Sequence, residues 1–241
     1  MAAKEVAASA PKSIVGFLAT QDSLPTHLQH GTGAGNENVS SNDMTIPRLD
    51  IIQQLSPQID PTSPKYIEGA KLGSIFNSLS GDLYSSCFLI NLHFETRWQV
   101  FKKRNFGGGF EGSFDTEAQA LAHLDAASLP RAQYDVSETG IHKCLLLDEN
   151  GNPDQPVLIY MSGSKMKVSK DWNSAIRLKD PRADRFASVW TLTSVPEKNR
   201  QGQPYQNMKL DFAGWAGTDL YEEAKTIYQG ISGAPQSNTV H

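Results

Sequence analysis

From Thr96 to Phe110 the chain reads TRWQVFKKRNFGGGF. This segment carries Arg97, Lys102, Lys103 and Arg104, no acidic residue, and Trp98, Phe101, Phe106 and Phe110 set between the cations. Single-stranded nucleic acid is held by this combination of residue types. Cations neutralise phosphates, and flat rings stack on unpaired bases, at about 1–3 kcal/mol per base. On a strand, Arg97, Gln99 and Phe101 share one face, while Trp98, Val100 and Lys102 share the other. Trp98 and Phe101 therefore do not enter one groove together unless a bulge intervenes, and one of them belongs to the core. The run Gly107, Gly108, Gly109 would let a backbone approach a phosphate. The plainer alternative is a hairpin tip beside a buried aromatic cluster.

A second basic segment runs from Ser164 to Arg185. It sets Lys165, Lys167, Lys170, Arg177, Lys179, Arg182 and Arg185 against Asp171, Asp180 and Asp184, in a chain whose formal net charge is -4. Positive charge concentrated in this way is what a groove tracking a phosphate backbone requires. Lys167, Lys170 and Ser174 fall on one helical face, and Met166, Trp172 and Ile176 are the helix's apolar positions. The alternative is an ordinary solvated helix face.

Other chemistries lack their parts. His93 and Glu95 form H-x-E, but no P-C-x-x-C follows, so the zinc deaminase pattern fails. Asp148, Asn150, Asn152 and Asp154 resemble half a calcium loop without its closing glutamate, and a hairpin turn explains them better. No Walker loop, G-x-S-x-G or H-E-x-x-H occurs. The expectation is a protein that is not an enzyme and holds no cofactor or metal.

The 241 residues are 39% hydrophobic and 20% charged, enough apolar material for one sizeable core. No apolar run approaches the roughly 20 residues that cross a bilayer. The weak apolar patch from Ile14 to Ala19 lacks a basic region before it and does not read as a signal peptide. Cys87 and Cys144, the two cysteines, sit in apolar strand-like runs and read as small buried hydrophobes, which fits a reducing compartment. A non-membrane protein of a cytoplasm is expected.

The elements that must position the two segments follow from periodicity and turn chemistry. Residues 1–44 are rich in Ala, Ser, Thr, Gly and Asn without a sustained period and read as a flexible arm. A folded domain is expected over 45–231, followed by a polar tail over 232–241. Two strands flank Ser80-Gly81-Asp82. In the second, Cys87, Leu89, Asn91 and His93 alternate with Phe88, Ile90, Leu92 and Phe94, and the basic segment continues as a further strand. Hairpins are expected around Asn150-Gly151-Asn152 and around residues 199–202. Helices are expected from Thr116 to Ala127, from Lys165 to Arg177, and from Thr218 to a stop at Gly230. About seven strands joined mostly by short turns, with short helices, make a mainly β fold. The expected architecture is an antiparallel barrel of the oligonucleotide-binding kind, decorated by two or three helices.

Taken in order, IPRLDIIQQLSP, EGAKLGSIFNSLSGDLY, RWQVFKKRNFGGGFEG, PVLIYMSGSKMKVSKDWNSAI, NRQGQPYQNMKLDFAGW and YEEAKTIYQ resemble bacteriophage-encoded single-stranded DNA-binding proteins. The resemblance spans about Met44 to Gly230. It implies an oligonucleotide-binding fold that coats transient single strands in the host-cell cytoplasm during phage DNA replication or recombination. It carries over to Arg97, Trp98, Lys102, Lys103 and Arg104, and to Lys165, Lys167, Lys170 and Trp172. The implied partners are single-stranded DNA and replication or recombination proteins, with self-association into a homo-oligomer compatible. The acidic tail through which such proteins commonly recruit partners has no counterpart in SGAPQSNTVH. The competing reading is a phage virion structural or interaction protein that threads its arm onto neighbours without binding nucleic acid.

Overall fold

The computed structural model describes residues 45–199 and 201–233, together with Ala34, Gly35, Glu37 and Asn38. The chain divides into a unit Met1–Thr45 and a unit Ile46–His241. Apart from the four residues just named, the expected arm lies outside the described residues, and so does most of the expected tail. Nine strands and three α-helices are described: β1 (Leu49–Ile51), β2 (Ile75–Asn77), β3 (Leu83–Tyr84), β4 (Ser86–Lys102), β5 (Gly109–Phe114), α1 (Glu117–Ala126), β6 (Tyr134–Leu147), β7 (Pro153–Ser162), α2 (Lys165–Lys179), β8 (Ser188–Lys198), β9 (Pro204–Trp215) and α3 (Thr218–Gly233).

The fold is mainly β, and its named strands pair antiparallel in two sheets, with three helices. A three-stranded sheet has the order β1-β2-β3. The six-stranded sheet follows β7-β6-β4-β8-β9, with β5 also on β4. This path ends on β7 and β9, so the strands form an open sheet where a barrel was expected; closure needs the two end strands to pair.

Two expected strands merge into β4, which runs through 17 residues. One edge pairs with β6 along nearly its whole length. The other edge pairs with β8 from Ser86 to Ile90 and with β5 from Trp98 to Lys102. Between Asn91 and His93 the register with β6 shifts by one, leaving Leu92 as a bulge. A single extra residue inverts which side chains face which way. Up to the bulge ordinary alternation holds: Cys87 and Leu89 join the core under α2, while Ile90 and Leu92 join the core under α3. Beyond the bulge Phe94 swaps sides relative to simple alternation, and its ring lies 4.8 Å from His142. From Leu89 to Leu92 both faces of β4 are buried, while Phe88 remains exposed, where sequence alternation implied one apolar and one mixed face.

Local signals explain the helices. Thr116 caps α1 in a complete capping box with Gln119, and Leu124 and Ala120 close a third core over Val100, Trp98 and Phe114. α2 buries Ser169, Trp172 and Ile176 at helical spacing. α3 continues through Gly230, the expected stop, to Gly233. Cys87 and Cys144 are buried free thiols.

Beneath α2 lies a buried polar chain. Asn91 Nδ2 is 2.9 Å from His142 Nδ1, and His142 Nε2 is 2.8 Å from Ser169 Oγ. The connectivity is that of a hydrolytic triad, but all three residues are wholly buried. Sealed from solvent on every side, the Ser169 hydroxyl meets no substrate. The chain instead registers α2 on β6. Gly140 leaves the room for it: a Cβ there would come within 2.6 Å of Ser169 Oγ and 3.1 Å of Phe94.

Burial, with Arg185 adding to it, pushes the His142 pKa down from 6.5 to about 3. The unfolded chain takes up a proton below pH 6.5 that the folded chain refuses. Stability from this group is therefore complete above pH 6.5 and falls as pH drops toward 3, by up to about 1.4 kcal/mol per pH unit. Urea unfolding of wild type and His142→Gln should show a stability difference that shrinks as pH falls through this window; a pH-independent difference would contradict the buried neutral imidazole. Gly140→Ala should destabilise by about 1–3 kcal/mol through overpacking, read in the same unfolding experiment.

Candidate functional site

The β4–β5 hairpin gathers the rings and cations of the first basic segment. Lys102 opposes Gly109 and Phe101 opposes Phe110, while Glu111 is bulged out of register between Phe110 and Gly112. The tip is one short 3₁₀ turn, Arg104–Phe106. Gly107, Gly108 and Gly109 then all take positive φ. That backbone is open to glycine and strained for other residues, so the glycine run is explained by the turn itself. The turn leaves three rings in solvent: Phe101 is 40%, Phe106 43% and Phe110 48% exposed. The Phe101 and Phe110 rings are 5.3 Å apart, a tilted pair with outward faces free.

Trp98 and Phe101 point to opposite faces of β4. Trp98 lies partly buried against the core beneath α1, and Phe101 is the exposed one. The nearby cations divide by their partners. Arg97 is ion-paired with Asp115 and lies 3.7 Å from Glu95. Lys103 Nζ donates to the Ala132 carbonyl at 2.8 Å and lies 3.8 Å from Asp135. The side chains of Lys102 and Arg104 make no hydrogen bond or ion pair among the described residues. Phe101, Lys102, Arg104, Phe106 and Phe110 therefore stand together at one tip, with Lys103 anchored beside them.

The second basic segment is largely neutralised in place. Lys165 pairs with Asp50 at 2.6 Å, Lys167 with Asp171 at 2.5 Å and Lys170 with Glu138 at 3.8 Å. Trp172 is only 2% exposed and stacks against His142, so no base reaches its ring. Arg177 is exposed and makes no ion pair among the described residues. The two segments do not merge into one patch. Lys170 reaches β6 at Glu138, which opposes Trp98, four residues short of Lys102, or about 13 Å of strand.

Sequence reasoning missed the surroundings of Arg185. It counted there only as charge, yet its guanidinium lies over the Phe94 ring, 5.7 Å from the centroid, beside Arg177. Phe94 comes from a distant strand, and no local signal joins the two. Among the described residues no cluster of His, Cys, Asp and Glu is arranged to hold a metal ion, and no helix is long and apolar enough to cross a membrane.

No curated protein and no solved structure matches the chain. A family model described as Pam3 phage gp34-like protein matches residues 18–236, most of the chain. The chain therefore belongs to the Pam3 phage gp34-like protein family, a family of bacteriophage proteins.

Proposed function

We propose that this phage protein binds single-stranded DNA without sequence preference and without catalysis, through the tip of the β4–β5 hairpin, in phage DNA replication or recombination in the host cytoplasm. The observation that carries the reading is the set of three exposed phenylalanines, Phe101, Phe106 and Phe110, beside the unpaired Lys102 and Arg104. Each ring offers a face to an unpaired base, and the two cations supply phosphate contacts on the same turn. Three rings gathered at one turn make an apolar patch of the kind that marks an interaction surface. The α2 lysines contribute less, because their charges are already met by Asp50, Asp171 and Glu138.

Fluorescence anisotropy of labelled oligo-dT at two salt concentrations tests the reading. Phe101→Ala with Phe110→Ala should weaken binding by about 1–3 kcal/mol per stacked base lost, with circular dichroism unchanged. Lys102→Gln with Arg104→Gln should flatten the log–log salt dependence by about 0.7 per phosphate contact removed, and Lys167→Gln should leave it nearly unaltered. Weak, salt-insensitive binding by the wild-type protein would overturn the proposal. Abundant copies in purified virions together with that result would favour a structural subunit whose rings dock on protein.

A further inference from the structure

Along one edge of β4 the strand partners leave a gap. β8 ends its pairing at Ile90 and β5 begins at Trp98. Into this gap packs the short 3₁₀ turn Arg185–Ala187 that leads from α2 into β8. The gap has two hollows. One, of about 570 Å³, is lined by Phe94, Asn173, Ser174, Arg177 and Arg185 among others. The other, of about 260 Å³, is lined by His93, Phe94, Arg185, Phe186 and Tyr228 among others. Arg185 and Phe94 belong to both, so the guanidinium lying over the Phe94 ring forms the wall between them.

The charges of this groove are unevenly satisfied. Asp180 and Asp184 border it, but each carboxylate is engaged elsewhere. Asp180 accepts from Arg182 at 2.8 and 3.0 Å, and Asp184 accepts from the Tyr221 hydroxyl at 2.6 Å. Arg177 and Arg185 pair with no carboxylate among the described residues. Arg185 Nη2 donates to Asn173 Oδ1 at 2.9 Å. Its Nη1 is shut away from solvent and makes no hydrogen bond, and His93 Nδ1 in the adjoining wall is in the same state. Orphaned buried donors of a charged group are rare, and here they lie in the wall of the groove rather than on its open side.

We propose that this groove binds a phosphate group between the Arg177 and Arg185 guanidiniums. Arg185 is held in place by the Phe94 ring and by Asn173, while Arg177 approaches from the exposed side of α2. Because the Asn173 oxygen is taken by Arg185, its amide nitrogen is left to donate. Two guanidiniums and an amide converging on one hollow suit the several spread oxygens of a phosphate, whereas a carboxylate is already satisfied by one guanidinium fork. Phe94 on the same wall gives an attached base or sugar an apolar surface. The phosphate belongs either to a free nucleotide or to a polynucleotide backbone. The inference does not depend on the role given to the hairpin tip.

Isothermal titration calorimetry on the full chain tests it with inorganic phosphate, thymidine 5′-monophosphate and oligo-dT lacking terminal phosphates. Saturable binding of thymidine monophosphate is expected, reduced by about tenfold or more in Arg177→Gln and in Arg185→Gln and unchanged in Phe101→Ala with Phe110→Ala. Displacement of the monophosphate by oligo-dT identifies the strand backbone as the source, and its retention identifies a free nucleotide; either supports the site. Absence of saturable binding by all three ligands would overturn it, as would undiminished affinity in Arg177→Gln, whose exposed side chain leaves the fold intact. Loss of binding to oligo-dT in the hairpin variant alone would concern the tip and leave this groove standing.

Discussion

A single extra residue in β4 governs the arrangement of everything around it. β4 is shared by all three cores, and Leu92 is the point at which its side chains change allegiance. Before the bulge, odd-numbered residues meet α2; after it, even-numbered ones lie on that face. Without that inversion Phe101 would turn in toward α1 and Trp98 outward, because alternation along a strand is strict. The bulge also coincides with the stretch of β4 that neither β8 nor β5 covers. The exposed rings at one end and the Arg185 groove in the middle therefore share one cause, a long strand that serves two sheet partners on one edge.

Electrostatics separates the cations that hold the fold from those left for other work. Ten lysines and arginines among the described residues pair with a carboxylate, Arg97, Lys165, Lys167 and Lys170 among them. Each exposed pair contributes little, typically about 0–1 kcal/mol, but together they offset three of the five cations of α2, leaving Arg177 and Lys179 without a carboxylate among the described residues. Lys102, Arg104, Arg177 and Arg185 make no ion pair among the described residues, and neither do Arg48, Lys65, Lys71, Lys179 and Lys198. Cations left without a carboxylate on a mildly acidic surface favour local contact with an anion over long-range coating by bulk charge.

Much of this was legible in the sequence because it rests on short-range rules. The Asn150-Gly151 hairpin, the second hairpin around residues 199–202, the Thr116 cap and the apolar spacing of α2 are all local, and each appears where turn chemistry and periodicity place it. That Trp98 and Phe101 lie on opposite faces was also readable; which of them is buried was not, since that depends on α1 folding back over β5. The Leu92 bulge carries no sequence mark; the alternation inferred for residues 87–92 holds, and the bulge inverts it at His93 and Phe94. Closure into a barrel was expected from strand count, but closure depends on how the end strands meet, which no local pattern encodes. The partners of Lys165, Lys170 and Arg185 come from Asp50, Glu138 and Phe94, all distant in sequence.

The most direct test of the account is fluorine NMR of the protein labelled with fluorophenylalanine, with resonances assigned by single substitutions and oligo-dT added. The account requires the signals of Phe101, Phe106 and Phe110 to move with saturation while that of Phe114, packed beneath α1, stays in place. Binding that leaves the three tip signals unmoved, or no binding at all, would contradict it.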